Sequence, residues 1–157
     1  MSEPSVVHNT FVVEKSYPKS PQAVFDAFAD AEKKRVWFGQ GEHHDLEEFR
    51  LDFRVGGSED FRYRFNSTTP MAGLILVNRA CFEDIVPGKR IVTSSTMSLG
   101  DRRISSSLTT FEFLETATGT DLVCTHQGAF YEGSDGPAMR EAGWRTLLER
   151  LGPVLDR

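Results

Sequence analysis

Phe49-Arg50-Leu51-Asp52-Phe53-Arg54-Val55-Gly56-Gly57-Ser58-Glu59-Asp60-Phe61-Arg62-Tyr63-Arg64-Phe65 is the stretch whose pattern decides the fold class. Apolar side chains stand at 49, 51, 53 and 55, and polar ones at 50, 52 and 54. Strict alternation is the mark of a half-buried strand, because successive side chains point to opposite faces. Gly56-Gly57 supplies a tight turn, and the alternation resumes at Phe61, Tyr63 and Phe65. The stretch therefore predicts an antiparallel hairpin, with strands over 49–55 and 61–65.

Downstream the same grammar repeats. Leu74 to Val86 reads as a long strand, closed by Pro87-Gly88, and Arg90 to Met97 returns. Gly100-Asp101 turns into Arg103 to Leu114, and Thr118-Gly119 turns into Asp121 to Phe130. Upstream, His8 to Tyr17 is β-rich around Phe11-Val12-Val13. After it, Ser20-Pro21 is a helix start, because the hydroxyl accepts an orphan backbone N–H and proline suits the first helical position. Val24, Phe25 and Phe28 then follow at helical spacing, and Asp30 caps a second short helix predicted over Ala31 to Trp37. About seven strands result, all joined after the short helices by hairpins, which describes one antiparallel meander.

Gly133 to Pro137 is a loop, and a helix is predicted from about Ala138 to Leu155. Trp144, Leu147, Leu148, Leu151 and Leu155 form one sustained apolar stripe along it. The expected class is α+β: a curved antiparallel sheet of about seven strands wrapped around a long C-terminal helix, with two short helices after the first strand. One helix is the only stripe long enough to cover the sheet, so a gap between the two is expected, and such gaps are often ligand cavities. Trp144, Leu147, Leu148 and Leu151 are all expected to be buried against the sheet.

Composition narrows the functional classes. The chain has 157 residues, and a domain of that size builds a core without staples. Residues 1–157 read as one domain with a core over about 8–155. Phenylalanine is over-represented, at 12 against 3 tyrosines and 2 tryptophans, which suits an aromatic-lined interior. The net charge of −5 and the shortness of Lys33-Lys34-Arg35 argue against nucleic acid as a partner. No window approaches ~18 apolar residues, so no membrane span is expected. The N-terminus lacks a charged-then-apolar leader pattern, and the expected location is the cytoplasm. Cys81 and Cys124 match no metal or redox spacing and are expected to be buried, reduced thiols.

Six stretches, taken together and in order, resemble a known family. They are Ser20-Pro21-Gln22-Ala23-Val24-Phe25 with Phe28; Trp37-Phe38; Asp52 to Gly57; Asp84 to Ile91; Gly119-Thr120-Asp121-Leu122 leading to Thr125-His126-Gln127-Gly128; and Gly143-Trp144 with Leu148, Arg150 and Leu151. The chain thereby resembles the homologues of the activator of heat-shock protein 90 ATPase, in the START-like SRPBCC superfamily. Family members commonly carry two tryptophans where this chain has Trp37-Phe38. The resemblance implies a helix-grip fold around an internal cavity. It implies no single activity, because superfamily members bind lipids, hormones and polyketides and some catalyse cyclisation or hydrolysis.

No ready-made catalytic centre is visible. There is no Gly-x-Ser-x-Gly elbow, no phosphate-binding glycine loop and no His-Glu-x-x-His. His43-His44, flanked by Glu42 and Asp45, offers metal-ligand types, but adjacent side chains seldom converge on one ion, and a solvated loop is expected there. Asp52, Arg54, Arg62 and Arg64 read as an exterior charge ladder. Neither a metal nor another cofactor is expected.

His126 is the most informative residue. Leu122, Cys124, His126 and Gly128 share one strand face, and Leu122 at the family's leucine position implies that this face meets the helix. Ser107, Thr109, Phe111 and Phe113 likewise share a face. The candidate cavity residues are Trp37, Phe38, Phe53, Thr109, Phe111, His126 and Trp144, with Trp37-Phe38 expected at the rim. Two hydroxyls and an imidazole among aromatic rings suit a small hydrophobic or amphipathic ligand with one polar end. The alternatives are a cyclase- or hydrolase-type enzyme using His126, with Tyr63 or a carboxylate, and a protein-interaction module that stimulates a chaperone ATPase. A homodimer is compatible with any of these.

Overall fold

A computed structural model describes residues 4–157. β1 spans Val7–Tyr17, α1 Pro21–Ala29 and α2 Ala31–Lys34, followed by a π-helical turn over Arg35–Gly39. β2 (His44–Leu51), β3 (Ser58–Phe65), β4 (Ile75–Val86), β5 (Arg90–Leu99), β6 (Arg102–Thr116) and β7 (Gly119–Phe130) follow, then α3 (Pro137–Val154). The strands form one antiparallel sheet in the order β1-β7-β6-β5-β4-β3-β2. This is a meander whose last strand pairs with the first, and the architecture is the expected helix-grip class.

Local chemistry explains the helical punctuation. The Ser20 hydroxyl accepts from the Ala23 amide at 3.1 Å and Pro21 opens α1. Asp30 ends α1 by donating its amide to the Asp26 carbonyl, and its carboxylate accepts from the Glu32 and Lys33 amides at the start of α2. The second helix is shorter than the predicted 31–37. The chain widens at Arg35, where the Gln40 amide reaches the Arg35 carbonyl five residues back. This turn seats Trp37, whose indole N–H donates to the Ala27 carbonyl at 2.8 Å.

The strand expected over 49–55 is displaced. β2 starts at His44 and stops at Leu51, and Asp52–Val55 form the turn into β3. Phe53 leaves the ladder to pack edge-on against Phe25 and Phe82, at 5.6 and 5.1 Å between centroids. Gly57 lies so close to the Asp52 carbonyl that a Cβ there would come within 2.2 Å of it. The solvated loop expected at His43–Asp45 is in part strand, since His44 and Asp45 pair with Phe65 and Arg64 of β3. Register shifts at Leu46/Glu48, Phe82/Asp84 and Met97/Ser98 curve the sheet.

α3 lies in the hollow of this curve. Leu148, Leu151 and Val154 are buried, and the Tyr17 hydroxyl, carried by β1, donates to the Leu148 carbonyl at 2.5 Å. Trp144 and Leu147, expected to be buried with them, are only half-buried, because the sheet opposite them carries small side chains and leaves space. Cys124 is buried in the core, where burial pushes its thiol up to about 12. Cys81, expected to be buried too, is half-exposed on the outer face of β4, where alternation places it opposite in sense to Ala80 and Phe82.

Candidate functional site: a cavity between the sheet and α3

Four neighbouring strands change character along their length on the face turned to α3. β6 runs from Phe113 and Phe111 to Thr109, Ser107 and Ser105. β7 runs from Leu122 and Cys124 to His126 and Gly128, β5 from Ile91 and Thr93 to Ser95, and β4 from Phe82 and Ala80 to Asn78. The register sets the small polar residues side by side: Thr109 faces His126, Ser107 faces Gly128, and Ser95 faces Ser107. Large rings fill one end of the space beneath α3. At the other end a cavity of about 350 Å³ remains.

Its apolar wall comes from Phe38, Phe61, Tyr63, Met97, Trp144 and Leu147. Met139, on the first turn of α3, is 65% exposed and marks the mouth. Four of the seven sequence-derived candidates stand in this wall: Phe38, Thr109, His126 and Trp144. Trp37, Phe53 and Phe111 do not. They are packed into the core, Trp37 against Phe28 at 4.8 Å and Phe111 against Phe28 at 4.9 Å. The rim at this side is thus Phe38 alone, because the π-helical turn rotates Trp37 inward under α1.

His126 is 1% exposed and its ring stacks on Phe11 of β1, at 4.6 Å and 6°. Its Nδ1 is buried without a hydrogen-bond partner. Desolvation, and next the charge of Arg140, pull its pKa down to about 4, so the ring is neutral near pH 7. Gly128 makes room for this ring: a Cβ there would lie 2.8 Å from the imidazole Cε1 and 2.9 Å from Phe130.

Sequence reasoning missed the charged pair at the mouth. Arg140 of α3, 8% exposed, grips Asp135 through Nε–Oδ2 and Nη2–Oδ1 bonds of 2.8 Å each. Burial pushes the Asp135 carboxyl up, but the bonds and charge of Arg140 outweigh this and hold it below its ordinary value. Arg140 stands four residues before Trp144, on the same side of the helix, and that spacing was the available signal.

His43 and His44 do not act together. His43 Nδ1 meets Thr68 Oγ1 at 2.7 Å, whereas His44 stacks on Tyr63 at 3.8 Å and bonds the Gly39 carbonyl. Burial pushes Tyr63 up to about 12, with Asp135 adding to the effect. The outer ladder also differs from expectation. Arg62 and Arg64 both bond Glu47, the residue bulged out of β2, while Arg54 pairs with Asp52 inside the turn. Among the described residues, no helix is long and apolar enough to cross a membrane.

Comparison with known proteins gives a family and a set of solved relatives. The family model described as activator of Hsp90 ATPase homolog 1-like protein matches residues 18–156. The crystal structure of Mll3558 from Rhizobium loti is 44% identical, with a TM-score of 0.86 over 96% of this chain and 99% of that one. An uncharacterised protein from Rhizobium leguminosarum is 35% identical, with a TM-score of 0.89 over 98% and 97%. An AHSA1-like protein from Aeromonas hydrophila shares the fold at 18% identity and a TM-score of 0.66, covering 94% and 92%. No curated protein matches the chain.

Proposed function

Since the chain belongs to the family of activator of Hsp90 ATPase homolog 1-like proteins, of the SRPBCC superfamily, we propose that it binds a small amphipathic molecule in the cavity beneath α3. The observation that carries this reading is the cavity itself. About 350 Å³ falls within the ~300–1,000 Å³ of small-molecule sites, and the wall joins aromatic rings to a few convergent polar groups. A core that served stability alone would continue the phenylalanines of β6 instead of giving way to Thr109, Ser107 and Ser105. His126 leaves its Nδ1 free and engages no carboxylate, which favours binding over acid–base chemistry.

Native mass spectrometry of the protein as purified from cells tests the reading, followed by extraction of whatever is retained. The expected result is a bound small molecule, or saturable binding of an amphipathic probe that quenches Trp144. Absence of any retained species, together with no saturable binding across a panel of such probes, overturns it.

A further inference from the structure

The cavity carries polarity without net charge. Among the described residues, the ionisable side chains in its wall are His44, Tyr63, His126, Asp135 and Arg140. Arg140 and Asp135 are bonded to each other twice, and the remaining reach of the guanidinium goes to Ser105 Oγ at 3.0 Å and over the Phe130 ring. Asp135 also stands next to Gly136, the N-cap of α3, so its carboxylate lies near the partial positive charge of that helix end. His44 and His126 are held neutral near pH 7 by burial, and Tyr63 keeps its proton. The rest of the polar wall, Asn78, Ser95, Ser107, Thr109 and Thr146, is uncharged by nature.

We propose that the cavity selects an uncharged molecule whose polar end is a hydroxyl or carbonyl seated against His126 and Thr109, and discriminates against the carboxylate of the same skeleton. This rests on the binding reading above and names its ligand class. A carboxylate drawn into this space loses its hydration and meets only neutral donors, while the one cation in the described wall is engaged by Asp135, whose own charge repels it, and Lys34 behind Phe38 is paired with Glu59. A hydroxyl needs far less. The Thr109 hydroxyl can donate or accept, and a neutral imidazole offers one donor and one acceptor. The stack on Phe11 and the close approach at Gly128 fix the ring, so the geometry is set before the ligand arrives.

The test compares 2-naphthol with 2-naphthoate at pH 7 by titration calorimetry, with amide shifts to locate each. The naphthol should bind at least about tenfold more tightly and shift Thr109, His126 and Trp144. Asp135→Asn frees the charge of Arg140, and should raise the affinity for naphthoate relative to that for naphthol about tenfold. Equal or tighter binding of naphthoate to the unaltered protein in the cavity overturns the charge discrimination and leaves ligand binding standing. Failure of both compounds to shift any wall residue at millimolar concentration overturns this proposal and the binding reading together.

Discussion

Against the C-terminal half of α3 the sheet presents Phe113, Phe111, Leu122 and Ile91. Against the N-terminal half the same strands present Ser107, Thr109, His126 and Ser95. The backbone is continuous between the two ends, so side-chain size alone separates a packed core from a cavity. Phe28 anchors the packed end, touching Trp37, Phe111 and Phe113 within 5.3 Å between centroids. Trp144 marks the divide: it meets Phe111 at 5.4 Å on one side and faces open space on the other. The fold thus builds its stability at one end and leaves the other free to hold a ligand.

The largest expected effect lies where the two ends meet. Lys34 Nζ and Glu59 Oε1 are 2.5 Å apart with side chains 3% and 6% exposed, an ion pair without an aligned hydrogen bond. The ammonium also lies over the rings of Phe28, Trp37 and Phe38, within 5.3 Å of each. Lys34→Met should cost about 3–5 kcal/mol in denaturant unfolding, because it strands a buried carboxylate. The double change Lys34→Met with Glu59→Leu should recover most of that. A loss below about 1 kcal/mol for the single change would mean that water reaches Glu59 and that the divide is open.

Leu148 and Leu147 are neighbours on α3 that face different ends. Leu148 is 0% exposed in the core, whereas Leu147 is half-buried in the cavity wall. Leu148→Ala should cost about 2–5 kcal/mol. Leu147→Ala, which merely enlarges existing space, should cost less than about 1 kcal/mol. Equal losses would show that the cavity is packed in solution and that the contrast between the ends is false.

Acid should act on the cavity end through His126. Its folded pKa is depressed to about 4, while the unfolded chain takes up its proton near 6.5. The unfolded state therefore binds more protons between these values, and stability falls as the pH drops through that window. The neutral ring's contribution is complete above about 6.5 and lost toward 4, with an upper limit of about 3–4 kcal/mol at ~1.4 kcal/mol per unit. Unfolding curves at pH 7 and pH 4.5 should therefore converge for the protein and His126→Gln as acid is added, relative to their separation at pH 7. A separation that stays constant would place the imidazole in contact with water.

The sheet, its turns and the long helix were legible because alternation, glycine turns and the stripe of α3 each repeat over many residues. Parity along β6 and β7 grouped His126 with Leu122 and Thr109 with Phe113, and the resemblance, through its leucine position at Leu122, turned the His126 face toward the helix. What escaped detection depends on contacts between distant segments. Asp52 to Val55 alternates like a strand, yet the fixed approach of Gly57 and the pull of Phe25 on Phe53 turn it aside. Lys34 reads only as part of a short basic run, although it precedes Trp37 and Phe38 at helical spacing and Glu59 shares a face with Phe61 and Tyr63. Those two hints become one ion pair only when α2 and β3 meet.

Gly143 gives the smallest effect and the finest test. It lies inside α3 at the cavity mouth, four residues after Met139 and next to Trp144. A glycine in a helix interior costs roughly 0.5–1 kcal/mol relative to alanine. Nothing lies within 4 Å of a Cβ added there, so no packing inside the chain requires the glycine. Gly143→Ala should therefore stabilise the fold by roughly 0.5–1 kcal/mol, read as a higher midpoint in a denaturant titration. Gly143→Leu should keep most of that gain, since leucine is also a good helix former, while its side chain obstructs the mouth and weakens binding of a neutral probe. The two readouts then move in opposite directions at one position. A leucine variant that is more stable and still binds the probe unchanged would mean that ligands enter elsewhere; an alanine variant that is less stable would mean that α3 sits closer to its neighbours than the open end allows.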